Sequence, residues 1–97
     1  MPQSEVRLRE GSNGIVSVLE VRTQGRRSSL ETVRSLLFDM RVQIVRAESQ
    51  VEEQGLFERF HIVELDGAAI PKRRAAAVRS AVRRALRTTA RTREAAA

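Results

Sequence analysis

The sequence contains no cysteine, no tryptophan and no tyrosine, and it has a single histidine. Disulfide and thiolate chemistry are therefore excluded. His61 alone would leave a zinc ion to be held mostly by carboxylates, an uncommon donor set for that metal. The few phenylalanines fall at expected core or sheet positions, so nothing offers a platform for stacking single-stranded bases. No apolar run approaches the ~20 residues of a membrane-spanning helix. Met1 to Glu10 is polar and lacks the apolar stretch of a secretory signal. A phosphate-cradling glycine loop and a nucleophile–base arrangement are missing as well. The expectation is a cytoplasmic, non-enzymatic protein without metal, cofactor or membrane attachment.

Charge is plentiful but unevenly placed. Residues 1–71 hold nine Arg and eleven Asp or Glu, a net of −2, whereas residues 72–97 hold nine Lys or Arg and one Glu, a net of +8. The whole excess sits in the C-terminal quarter. At 97 residues the chain is one domain with a modest core, a size often helped by pairing with a second copy or a larger partner.

The hydrophobic pattern orders the chain. Residues 1–4 form a disordered start, 5–91 the domain, and 92–97 a fraying tail. Val6 to Arg9 alternates apolar and charged residues, as a short edge strand does. Gly11-Ser12-Asn13-Gly14 is a turn, and Ile15 to Arg22 a second strand. A helix is expected from Ser28, with Ser28 as N-cap and Glu31 completing a capping box. Leu30, Val33, Leu37 and Met40 form its buried stripe, with Leu36 beside it. Val42 to Val51 and Leu56 to Leu65 read as a hairpin around Glu52-Glu53-Gln54-Gly55, and Asp66-Gly67 closes the second of these strands. Pro71 suits the first turn of a second helix, whose apolar face is Ala75, Val78, Val82, Ala85 and Leu86.

This β-β-α-β-β-α order predicts an α+β two-layer sandwich, a mostly antiparallel sheet with both helices on one face. In the last strand Phe60 and Ile62 point one way, and Phe57, Arg59, His61 and Val63 the other. The second set faces away from the helices. Phe57 and Val63 there predict association through the open sheet face or its edge. Glu20 and Glu58 are expected to pair with Arg22 or Arg59 across the sheet.

Two segments carry the functional expectations. The first is the turn Gly25-Arg26-Arg27-Ser28-Ser29-Leu30, between a strand and a helix. Such turns aim free backbone N–H groups outward and serve as small-ligand or anion sites. Arg26 and Arg27 make this one electropositive. The second is the C-terminal helix, where Lys72, Arg73, Arg79, Arg83, Arg84, Arg87 and Arg91 fall on one arc. At about 100° per residue the arc spans roughly 140°, opposite the apolar stripe. The arc contains no acidic residue, so i, i+4 ion pairs cannot form within it.

The segments VRLREGSN, IVSVLEV, RSSLETVRSLLFDMRVQIVRAESQ and GLFERFHIVELDGAAI, followed by a closing helix, resemble ACT domains. The likeness covers about residues 5–88. It is nearest to the C-terminal ACT repeats of the bacterial nitrogen-regulating uridylyltransferases that act on PII signal proteins, and to plant ACT-repeat proteins, in which an extra N-terminal strand precedes the usual first one. The resemblance implies a ferredoxin-like fold, a regulatory rather than catalytic role and amino acid binding at the strand–helix turn. The family turn reads Asp-Arg-Pro-Gly-Leu-Leu, and here it is Gly25-Arg26-Arg27-Ser28-Ser29-Leu30. The acid, the proline and the glycine are gone, and a second family glycine, after the first helix, is Arg41. These departures weaken the expectation of a free amino acid ligand and leave room for an anion.

Two expectations follow. One is a stand-alone ACT-like regulatory or interaction module with a degenerate amino-acid-binding turn, acting as a dimer or on a partner protein. The other is a small basic adaptor that contacts nucleic acid or an acidic protein through its Arg-rich C-terminal helix.

Overall fold

A computed structural model describes the backbone of residues 5–24 and 28–96 and, within them, the side chains through Arg87. Six elements follow in order: β1 (Glu5–Glu10), β2 (Ser17–Gln24), α1 (Leu30–Asp39), β3 (Val42–Val51), β4 (Gly55–Glu64) and α2 (Lys72–Ala96). The strands form one antiparallel sheet in the order β1-β2-β4-β3. β2 and β3 flank β4 and run parallel to each other, so β2-α1-β3 is a split crossover with β4 returning between its strands.

One sheet face and the two helices enclose the core. Val6, Leu19, Val21, Val42, Phe60 and Ile62 from the sheet meet Val33 and Leu37 of α1 and Val78, Val82 and Leu86 of α2, with Ile70 closing one end. Each large aliphatic or aromatic side chain buried here is worth about 1.5–3 kcal/mol. Leu8, Leu30, Leu36, Met40, Ile44 and Ala75 pack around the margin. The helical stripes expected from the sequence supply this core. Phe38 lies off the stripe and is 78% exposed.

Several boundaries differ from expectation, each for a local reason. β2 starts at Ser17 rather than Ile15 because Asn13 Oδ1 accepts the N–H groups of both Ile15 and Val16, at 3.0 Å each. Those amides are thus withheld from the sheet ladder. β4 spans Gly55 to Glu64 instead of Leu56 to Leu65, since the Leu65 N–H turns to the Arg41 carbonyl at 3.2 Å. β3 matches its expected span, with a bulge between Ile44 and Arg46. α2 takes in residues 92–96, expected as a tail. Residues 1–4, expected to be disordered, lie outside the described residues.

Backbone constraint is marked at Arg41 and Gly55. Arg41, directly after α1, has φ +61°, a left-handed conformation that favours glycine. Gly55, at the hairpin tip, lies against the end of β2. A Cβ there would sit 1.8 Å from the Thr23 carbonyl oxygen and 2.9 Å from Gln24 Cα.

Candidate functional site

The strand–helix turn is built from the end of β2 and the start of α1. Gly25, Arg26 and Arg27 lie outside the described residues. Ser28 is exposed, Ser29 buried and Leu30 half-buried against the core. The Ser29 carbonyl accepts the first helical hydrogen bond, from the Val33 N–H at 2.9 Å, which places the N-cap at Ser29 rather than Ser28. Ser28 Oγ still accepts the Leu30 N–H, at 3.0 Å. The expected capping box is not formed, because Thr32, not Glu31, is then the third helical residue.

The turn is occupied from within. Glu58, in the middle of β4, is 2% exposed and shares the sheet face of Phe60 and Ile62. Its Oε1 accepts the Ser29 N–H at 2.9 Å and the Ser29 hydroxyl at 2.6 Å. Its Oε2 accepts the Ser28 hydroxyl at 2.7 Å and the Ser49 hydroxyl at 3.4 Å. The pairing of Glu58 with Arg22 or Arg59 expected from the sequence does not occur, since both arginines project from the opposite sheet face. A buried carboxylate without a cation is tolerable only when its lone pairs are filled by donors, and four donors do so here. The N-terminal end of α1, which carries a partial positive charge, thus receives the chain's own anion. A ligand carboxylate or phosphate placed there would meet that charge at close range.

The open sheet face is dominated by charge. Its charged side chains interlock. Glu20 takes Arg9 and Arg59, each at 3.4 Å. Glu48 takes His61 at 2.8 Å, Arg46 at 3.4 Å and Arg59 at 4.0 Å. Arg22 joins Glu52 at 2.9 Å and Glu5 at 3.8 Å, and Arg7 meets Glu5 at 2.8 Å. Phe57 lies beneath two guanidinium groups, 4.7 Å from Arg22 and 5.2 Å from Arg59, so its ring is covered by cations. Val63 is only 5% exposed. Phe57 and Val63 thus offer little apolar surface on this face. A shallow depression of about 310 Å³ bounded by Arg7, Glu20, Arg22, Phe57 and Arg59 lies within the lattice, where every cation already has a carboxylate.

Hydrogen bonding from His61 is the main influence holding the Glu48 carboxyl below its ordinary range; burial opposes it, and the Arg46, His61 and Arg59 charges assist it. The Glu52 hydrogen bond raises Arg22. Glu52, placed by the sequence in the hairpin turn, is thus one partner of a bidentate pair, with Arg22 Nε and Nη2 donating at 2.9 and 3.4 Å.

On α2 the structure separates one arginine from the rest. Arg74 Nε donates to both oxygens of Glu64, and its Nη2 donates to the Met40 carbonyl and, at 3.4 Å, to the Arg41 carbonyl. It thereby caps the end of α1 from the first turn of α2. Lys72, Arg73, Arg79, Arg83, Arg84 and Arg87 are exposed and form no ion pair among the described residues. The Arg91 side chain lies outside the described set.

Sequence reasoning gave Glu58 the wrong partners and missed Ser49 and Arg74. The parity of β4 carried a signal for Glu58, which alternates in phase with Phe60 and Ile62. Arg74 falls at the boundary between the apolar stripe and the basic arc. Ser49 joins the cluster through the β3–β4 register, in which it lies opposite Glu58.

Among the described residues no cluster of three metal-ligating side chains is present, and no helix is long and apolar enough to cross a membrane. No family model, curated protein or solved structure matches the chain.

Proposed function

We propose that the chain is an ACT-like, ferredoxin-like regulatory module that works by contact with a second copy of itself or a partner protein, and that takes no free amino acid at its strand–helix turn. The observation that carries this reading is the Glu58 carboxylate bound to Ser28 and Ser29. It fills the place where a ligand's acidic group would meet the helix N-terminus, and the two serines that would face the ligand are spent on it. Arg41 supports the family likeness from another direction. Its positive φ falls where the resemblance puts a glycine.

Self-association is best served by an edge of the sheet. β3 is an outer strand of ten residues that exposes Val51 and the bulged Val45. Its outward backbone groups are free to pair with another strand. The interlocked charges of the open face would instead give salt-sensitive contacts.

The test combines sedimentation velocity over a range of concentrations with thermal-shift measurements against a panel of amino acids. The expected result is a concentration-dependent dimer that survives high salt, with no melting shift from any amino acid. An amino acid that raises the melting temperature in a saturable way defeats the ligand-free reading. A chain that remains monomeric at high concentration defeats self-association.

A further inference from the structure

The basic arc of α2 differs from the cations of the sheet face. The sheet-face arginines Arg7, Arg9, Arg22, Arg46 and Arg59 all lie within 4.0 Å of a carboxylate, and Arg74 is locked to Glu64. Lys72, Arg73, Arg79, Arg83, Arg84 and Arg87 are exposed and unpaired among the described residues. Their placement opposes helix stability. Arg79 and Arg83, and Arg83 and Arg87, are like charges one turn apart. Lys72 and Arg73 sit in a first turn that has no acid, at the positive end of the helix. The core stripe of α2 is complete without them.

We propose that the outer face of α2 binds double-stranded nucleic acid through its phosphate backbone. From Lys72 to Arg87 the cations extend about 22 Å along the helix axis. A duplex carries one charge per ~1.7 Å, so it offers phosphates along that whole length. Between the cations the exposed residues are Ala76, Ala77 and Ser80. These small side chains let a backbone approach, and they provide no aromatic or aliphatic anchor. Protein interfaces draw most of their energy from such anchors, so this face suits a phosphate polymer better than an acidic protein. It has no base-stacking aromatic, which favours duplex over single strands. The open sheet face opposes five arginines with four glutamates, Glu5, Glu20, Glu48 and Glu52. That near balance leaves α2 as the side presented to a polyanion.

The test is fluorescence anisotropy of the full chain with a labelled mixed-sequence duplex of about 20 base pairs, titrated between about 50 and 200 mM salt. About six phosphate contacts predict a loss of affinity of roughly a thousandfold over that range. The combined variant Arg79→Gln, Arg83→Gln, Arg84→Gln and Arg87→Gln should flatten the log–log salt slope by about three to four units. Its circular dichroism and melting should stay native. A control with Arg7→Gln and Arg46→Gln on the sheet face should bind within about twofold of the parent chain. Absence of binding at low salt, affinity indifferent to salt, or binding unchanged in the fourfold variant overturns the proposal. Polyglutamate competing as well as unlabelled duplex also overturns it, and assigns the face to an acidic protein surface.

Discussion

The Ser29 hydroxyl donates to Glu58 Oε1 across 2.6 Å, joining the first residue of the α1 cap to the centre of β4. The contact is buried, and the Ser29 amide reaches the same oxygen. Removing the hydroxyl leaves a buried carboxylate short of a donor. Ser29→Ala should therefore destabilise the fold by about 1–3 kcal/mol, a fall in melting temperature of about 4–8 °C per kcal/mol for a domain of this size. Glu58→Gln keeps the shape and removes the charge. A double-mutant cycle of the two should be strongly non-additive. Additive losses would show that serine and glutamate do not act as a unit.

Arg41 offers the opposite sign. Its φ of +61° is costly for a residue with a Cβ, and its side chain forms no ion pair among the described residues. Arg41→Gly should raise stability by about 0.5–1 kcal/mol, the relief in the folded state outweighing the extra freedom of the unfolded chain. Urea denaturation with an unchanged slope would read this directly. A destabilised variant would mean that the arginine stem packs in a way that compensates the backbone.

The Glu48 carboxyl is held low, first by the hydrogen bond from His61. A carboxyl lowered on folding adds stability that is present above its unfolded value, about 4.3. That stability is lost as pH falls through the lower folded value. His61→Ala should move the Glu48 titration up toward the ordinary carboxylate range, as followed by NMR of its side-chain carbonyl. It should also shift the onset of acid unfolding to higher pH. An unmoved Glu48 titration would assign the lowering to Arg46 and Arg59 instead.

Arg74 binds a carboxylate and two backbone carbonyls at once. Lysine can keep the charge but not this fork. Arg74→Lys should cost about 1 kcal/mol, a modest figure because the pair is partly exposed. Amide exchange at the end of α1 and at Leu65 should accelerate more than elsewhere. Uniform acceleration across the chain would show that Arg74 contributes to the whole fold rather than to that junction.

Much of the architecture was legible in residue spacing. The period of Val33 and Leu37 in α1, and of Val78, Val82 and Leu86 in α2, fixed which helical faces turn inward. Alternation in β4 separated Phe60 and Ile62 from Phe57 and His61. What spacing did not convey was the competition for backbone donors. Asn13 takes two amides that the apolar run assigned to β2, and Ser28 gives up the cap position while bonding Glu58. The charge lattice of the open face was not legible for a related reason. Phe57 and Val63 are apolar by type, but cations cover one and the fold encloses the other. Pairing across strands depends on register, and register is a property of the folded sheet.

Gly55 bears on the end of β2. Because a side chain there would collide with the Thr23 carbonyl, the hairpin tip acts as a stop beneath the last residues of β2. The tip faces solvent and reads like a place where insertions are tolerated. Lengthening it would disturb the close contact with Thr23 and Gln24, the last residues of β2. Variation in this hairpin would thus be felt first at the end of β2, the strand that leads into α1.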